Sequence, residues 1–520
     1  MKKQSFVVGA IVLTIASFFA KVIGAIYRIP LTSILGAEGL GLYQMVFPLY
    51  SMLLVLCSTG VPNAIAKMIA SGDDSKNRTI IYKSILFFGA ISLCMSVALI
   101  LLSKFISIVQ GNKDAWLIYS GVAPAVFFVG VLSVFRGYFQ GKQNIVPTSI
   151  SLIVEQVFKL LFGLLFSSLL IKKGIIFGAF GAILGVTLSE VFALLVILFQ
   201  YLMDRKRTNI KKNINVSIST IFKTTIPMTV SSMIMPLTLL IDSFLIINLL
   251  KHSGFSTSVA TNLYGLLTGV VNSLINLPVV LSMSIATMVI PVIAKLFSKN
   301  QINCVEDKAS LALKLVILIA IPCVIVFYVF PNDIIYFLFK NGLKVGEINE
   351  FQISSKLLQI GSLSILFISL LQVATTILQA INKAKIPVYN MIGACFLKVM
   401  LTFILVLIPS INIYGAMIST LVCYIVCAVL NLQYLFKTIK IRLSMQFDII
   451  LPIISGTMMV ASMYFIKSII NVGAIQTLTM FLIGAITYLM VLAICNYGYM
   501  YDISTFKRGI KNKYKKTHNK

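Results

Sequence analysis

Five ionisable side chains stand inside long apolar runs of this sequence: Lys21, Glu155, Lys159, Glu190 and Lys398. Each would cost about 2.5–3.5 kcal/mol at the centre of a hydrocarbon layer. They must therefore face one another or a watery cleft. The deep cations outnumber the deep anions. Lysine meets a phosphate as a point charge and arginine meets it as a planar fork, so the surplus points to an anionic ligand. Lys21, Gly24 and Arg28 are spaced i, i+3, i+7 and share one helical face. Gly24 leaves room for a ligand or a second backbone, and Pro30 is expected to end or kink that helix. Glu155 and Lys159 stand at i, i+4 with the acid first, the favourable order for a pair within one helix. Lys398 has no such partner on its own helix, so a place in the cavity is expected for it. Asp242 shares its run with Pro227 and Pro236, and two prolines predict a bending helix.

Other chemistries find little support. The chain has two histidines and eight cysteines, with no C-x-x-C, so no metal or haem site is expected. Most of the cysteines lie in apolar runs and read as small core hydrophobes. No P-loop or nucleophile constellation is present. We therefore expect no enzyme, no catalytic residue and no cofactor.

The elements that carry these residues follow from composition. Of 520 residues, 59% are hydrophobic and 11% charged, whereas soluble domains carry about 45–50% and about 25%. The chain reads as an all-α polytopic membrane protein. Fourteen apolar runs are long enough to span: 6–29, 42–65, 80–103, 115–139, 148–171, 175–202, 219–250, 259–294, 309–330, 355–381, 386–409, 413–436, 447–467 and 474–497. With both termini in the cytoplasm, the inner segments hold 28 Lys and Arg and the outer segments 10. That bias fits a multi-pass membrane protein with both termini inside. It also explains the net charge of +28 without nucleic acid, and the basic tail is expected to lie against anionic inner-leaflet lipids.

A repeat is visible. Residues 135–165 and 375–405 each run from a glutamine (Gln140, Gln379) through a short basic loop to a proline (Pro147, Pro387) and then a lysine (Lys159, Lys398). The glutamine-to-lysine distance is 19 residues in both. The prolines open helices, where a missing N–H costs little, and the two lysines should stand near mid-membrane. Six spans separate the copies, so they share one orientation. The expected plan is an N-lobe at 1–203, a basic linker at 204–218, a C-lobe at 219–440, two appended spans at 441–500 and a basic tail at 501–520. One chain then supplies both pseudo-symmetric halves, and a monomer suffices.

The N-terminal stretch adds K-V-I-G-A-I-Y-R-I-P-L at 21–31, L-G-A-E-G-L-G-L-Y-Q at 35–44 and G-V-P-N-A-I-A-K at 60–67. These closely resemble the stage V sporulation protein B-like branch of the multidrug/oligosaccharidyl-lipid/polysaccharide flippase superfamily. The resemblance implies a bacterial plasma-membrane protein with two six-helix lobes around a V-shaped central cavity. It implies outward movement, by alternating access, of a polyprenyl-diphosphate-linked oligosaccharide such as a lipid II-like cell-wall or spore-cortex precursor. Cell-wall synthesis enzymes would be partners. Lys21 then matches a basic residue of the relatives' first helix, Arg28 matches a second after a one-residue shift, and Ile29 stands where they carry an acid. Lys21, Arg28, Lys159 and Lys398 become candidate substrate-binding cations. Glu155, Glu190, Asp242, Gln140 and Gln379 support them, and Gly24 with the five prolines gives hinges. Two alternatives remain open: a cation-coupled drug or solute antiporter working through Glu155, Glu190 or Asp242, and a non-transport assembly factor for envelope synthesis.

Overall fold

The computed structural model describes residues 6–58, 60–70, 74–205, 233–344, 349–469 and 473–495. They form helices joined by short turns, with no β-strand among them. Twelve helices are long and apolar enough to cross a membrane. The longest apparent helix, Phe6–Ser58, is two helices: Gly36 breaks it with φ 66° and ψ −178°. Only glycine adopts that backbone without strain. The ring centroids of Tyr27 and Tyr43 come within 6.3 Å across the break, whereas on one straight helix the two residues would stand roughly 24 Å apart. Helix α1 (6–35) and helix α2 (37–58, continued by Gly60–Ala70) are thus antiparallel. The others are α3 (Asp74–Val109), α4 (Trp116–Gly141), α5 (Val146–Leu170), α6 (Ile175–Arg205), α7 (Ile234–His252), α8 (Thr257–Ser298), α9 (Ile302–Val329), α10 (Glu350–Ala380), α11 (Lys385–Leu407), α12 (Ile413–Thr438), α13 (Met445–Ile469) and α14 (Gly473–Cys495). Each apolar run of the sequence overlaps one of these fourteen among the described residues, and a short helix, Pro331–Phe339, follows α9; the twelve spans count α1 with α2 as one and leave out α7.

The two ends of the bundle turn differently. Gly36, Gly111, Gly174 and Gly254, with Asn412, supply positive φ between odd and following even helices. This is the Gly36 end. At the opposite end, the Lys142 end, Gln143, Asn300 and Asn382 take that conformation. The α4–α5 and α10–α11 turns are superposable in their bonding. Gln143 N–H donates to Gln140 O (3.0 Å) and Asn144 N–H to Phe139 O (3.0 Å). Asn382 N–H donates to Gln379 O (3.2 Å) and Lys383 N–H to Leu378 O (2.8 Å). The same pair of bonds closes the turns at Gly111, Gly254 and Asn300, so it is a helix-capping motif used throughout the bundle and not a mark of the repeat alone.

Small residues set the helix contacts, as membrane packing requires. A Cβ on Gly185 of α6 would stand 2.3 Å from the Gly163 backbone of α5. Between the lobes, a Cβ on Gly41 would stand 2.0 Å from the Thr261 carbonyl oxygen, and one on Gly265 2.2 Å from that of Ala37. The lobes therefore meet backbone to backbone at the Gly36 end. Asn112 Nδ2 donates to Thr261 Oγ1 (2.9 Å), Asn248 Nδ2 to Val109 O (2.8 Å) and Lys251 Nζ to Gly111 O (2.9 Å), all at that end. The appended pair is tied to the C-lobe. Lys314 of α9 reaches Asp448 at 3.3 Å, Arg442 reaches Asp307 at 3.4 Å, and Lys467 reaches Asp333 at 2.7 Å.

Three expectations change. Pro30 neither ends nor breaks α1, which runs through it to the Gly36 break. The carbonyl that Pro30 leaves without an N–H partner is that of Ile26; the Thr32 and Ser33 hydroxyls bond back to the Arg28 and Ile29 carbonyls just beyond it. Pro236 lies in the first turn of α7, where its missing N–H has no intrahelical partner to lose, so it does not bend the helix. Pro227 lies outside the described residues. Asp204 and Arg205 belong to α6 rather than to a linker, and Asp204 pairs with Lys142 at 2.8 Å.

Candidate functional site: cations facing the cleft between lobes

The face of α1 that carries Lys21, Gly24 and Arg28 turns toward α8 of the other lobe. The Arg28 guanidinium donates to Ser273 Oγ, and the Lys21 ammonium meets the Met283 thioether. Lys21 is exposed and Arg28 half-buried. A Cβ on Gly24 would stand 3.1 Å from Gln156 Oε1, so the missing side chain lets α5 come close. Lys159 of α5 joins this group. Its ammonium lies 5.0 Å from the Phe47 ring centroid and 6.0 Å from that of Tyr27, on rings carried by α2 and α1. Arg28 is within its electrostatic range.

The partners sort the basic residues into two kinds. Arg136, Lys142, Lys314, Lys398, Arg442 and Lys467 each have a carboxylate within 4.0 Å. Among the described residues, Lys21, Arg28 and Lys159 have none. They touch a thioether, a hydroxyl and aromatic faces. Such contacts hold a cation in place and leave its charge available to an incoming anion.

Lys398 falls on the other side of this division, contrary to its expected place in the cavity. It is only 4% exposed and pairs with Asp242 of α7. A buried ammonium needs a counter-charge, and the nearest acid comes from a helix distant in sequence. Glu155 likewise does not pair with Lys159. It binds Arg136 of α4 at 2.9 Å, and Gln156 Nε2 donates to its other oxygen at 2.9 Å. Arg136 anchors first on Ser151 Oγ (3.1 Å) and then reaches one turn further to Glu155. Glu190 of α6 is buried and accepts from the Tyr50 hydroxyl at 3.2 Å. Gln140 and Gln379 do not join the site. They stand at helix ends and serve the two matching turns through their carbonyls. Pro147 and Pro387 sit buried in the first turns of α5 and α11.

Reasoning from sequence missed Tyr27, Phe47, Tyr50, Ser273 and Met283. Arg136 had a signal, as a third charge in an apolar run one short turn away from Glu155. The aromatic and neutral partners had none, because apolar helices carry such residues everywhere.

Fourteen long helices among the described residues, with cations that lack a carboxylate where the lobes meet, fit a multi-pass membrane transporter, and the family models place the chain in the multidrug/oligosaccharidyl-lipid/polysaccharide superfamily. The chain belongs to the polysaccharide biosynthesis protein family, whose model matches residues 6–297, and a MatE model matches residues 227–404. It is 26% identical to stage V sporulation protein B of Bacillus subtilis (strain 168), over 86% of each chain. It is 25% identical to the lipid II flippase MurJ of the same organism, over 83% of this chain and 82% of that one. In structure it resembles an inward closed conformation of lipid II flippase MurJ, with a TM-score of 0.72, 14% identity and coverage of 94% of this chain and 99% of that chain. These relatives are transporters and sporulation proteins, not enzymes.

Proposed function

We propose that this protein moves a polyprenyl-diphosphate-linked oligosaccharide from the inner to the outer leaflet by rocking its two lobes. The observation that carries the reading is the set of three cations with no carboxylate within ion-pair distance: Lys21 and Arg28 against α8 of the other lobe, and Lys159 over N-lobe aromatic rings beside them. A diphosphate supplies the missing negative charge. The polyprenyl tail stays in lipid while the sugar head crosses in the cleft. Similarity to a lipid II flippase supports a lipid-linked substrate of this chemistry. The Lys142 end faces the cytoplasm, on the 28 to 10 excess of basic residues that this orientation gives. Anionic inner-leaflet lipids hold the basic tail, and one chain acts alone.

The test is outward exposure of labelled lipid II in cells where this protein is the sole flippase and can be depleted. Exposure collapses on depletion and returns with wild type but not with Arg28→Ala or Lys159→Ala. Persistence of exposure after depletion overturns the reading. The antiporter reading draws on Glu190, whose burial in an apolar lobe is otherwise hard to explain. It predicts that Glu190→Gln, rather than the cation changes, abolishes drug resistance in cells.

A further inference from the structure

All eight cysteines are free thiols. Two of them meet in the C-lobe, where α11 and α12 run antiparallel. That seam is held on one side by Thr402 against Ser419 at 2.6 Å and on the other by Asn390 against Asn431 at 2.7 Å. Between these contacts the Cys395 thiol of α11 meets the Cys423 thiol of α12 within hydrogen-bonding range. A disulfide joins Cβ atoms about 3.5–4.5 Å apart. Thiols already in contact across two clamped helices need little movement to reach that spacing. Cys427, one turn further along α12, meets the Met391 thioether instead, at 3.7 Å.

The two thiols are not equivalent. Cys423 is 3% exposed, whereas Cys395 is half-buried, so a small oxidant reaches Cys395 first. The Thr238 hydroxyl of α7 stands 2.9 Å from the Cys395 sulfur. The Lys398 ammonium, one turn along α11, is within electrostatic range of both thiols, and Asp242 offsets part of its charge at Cys395. A hydroxyl donor and a nearby cation both favour the thiolate, which is the reactive form.

We propose that Cys395 and Cys423 are a peroxide-sensitive thiol–disulfide switch. The Cys395 thiolate attacks one oxygen of hydrogen peroxide, the O–O bond breaks, and the other oxygen leaves as water with the proton that the thiol gave up. Cys395 is then a sulfenic acid. The Cys423 sulfur attacks the Cys395 sulfur, the S–O bond breaks, and the hydroxyl leaves as water with the Cys423 proton. The two thiols lose two electrons and the peroxide is reduced to two waters. A thiol reductant reverses the change. The new bond draws the Cys395 sulfur from Thr238, so α7 keeps the Asp242–Lys398 pair to α11 and loses the Thr238 contact. Because α7 also reaches the N-lobe through Asn248 and Lys251, oxidation within one lobe is felt where the two meet. The inference is independent of the diphosphate reading.

The test uses the full chain in lipid nanodiscs, reduced and then treated with hydrogen peroxide. Wild type loses two alkylatable thiols, and peptide mass spectrometry finds Cys395 joined to Cys423 with two hydrogens gone. In Cys423→Ser, dimedone traps a sulfenic acid at Cys395, and Cys395→Ser gives no joined peptide. Thr238→Val forms the bond about tenfold more slowly, having lost a hydrogen bond to the thiolate. Hydrogen exchange in the first turns of α7 rises on oxidation of wild type and falls back with reductant. Absence of the joined peptide at peroxide levels that leave the other cysteines alkylatable overturns the proposal, as does joining of Cys395 to any other cysteine. A joined protein with unchanged exchange in α7 overturns the switch, and Thr238→Val reacting as fast as wild type overturns the part given to Thr238.

Discussion

At the scale of residues, the distinction that matters is between cations that have a carboxylate and cations that do not. On the proposed diphosphate reading, removing Arg28 or Lys21 takes away a charge-assisted contact to phosphate, worth about 1.5–3 kcal/mol. We expect Arg28→Ala and Lys21→Ala each to weaken undecaprenyl diphosphate binding by about ten- to hundredfold in a direct titration. Removing Lys398 does something else. It strands Asp242 in a buried site, at a cost of about 3–5 kcal/mol. Lys398→Ala should therefore lower thermal stability in detergent, and the double change Lys398→Met with Asp242→Leu should restore it. A single change as stable as wild type would mean that the buried pair contributes nothing. The depth of these residues was legible in the sequence, since an apolar run betrays every charge inside it. Their partners were not. Lys159 and Lys398 occupy matching positions in the repeat, yet one rests on aromatic rings and the other on Asp242, because the deciding groups sit on other helices.

At the scale of elements, two features carry testable consequences. The first is the contact of α5 with α6 through Gly163 and Gly185, which holds Lys159 and Glu190 on adjoining helices. Gly185→Val would force the two backbones apart, and we expect lower thermal stability together with lost transport. The second is the pair of turns at Gln143 and Asn382. Both hold a left-handed backbone that costs roughly 1–2 kcal/mol for a residue with a Cβ and more for a branched one. Gln143→Gly should be tolerated without loss of stability, whereas Gln143→Val should lower the melting temperature. The spans and the repeat were readable in advance, because apolar length and the Gln–Pro–Lys spacing are properties of one stretch of chain. The roles of Pro30 and Pro236 were misjudged. A proline restricts its own backbone, but whether a helix bends there depends on what compensates the lost bond and where the helix starts.

At the scale of the whole molecule, the lobes are in contact at the Gly36 end, where Gly41 and Gly265 allow backbones to touch. The proposed rocking of the lobes would part that contact. Cysteines placed at Ala37 and Gly265 should cross-link under oxidant, stop transport and release it again with reductant. Undiminished transport by the cross-linked protein would exclude rocking at this seam. Orientation is tested separately. An impermeant thiol reagent applied to intact cells should label Lys173→Cys and spare Gln143→Cys, and the reverse pattern would invert the assignment of the two ends. The two-lobe plan was legible through the repeat. The seam was not, since close packing of glycines leaves no pattern that links residue 41 to residue 265.

The tether of α13 to the C-lobe has a mechanical side. With Asp448 held by Lys314, Lys467 holding Asp333 and Arg442 just ahead of the helix holding Asp307, the appended pair would follow the C-lobe in the proposed tilt. It acts as a rudder fixed to the lobe and must push aside the acyl chains in its path. The rate of turnover would then depend on the viscosity and thickness of the surrounding bilayer, and a cell that stiffens its membrane would slow this protein without touching its binding site.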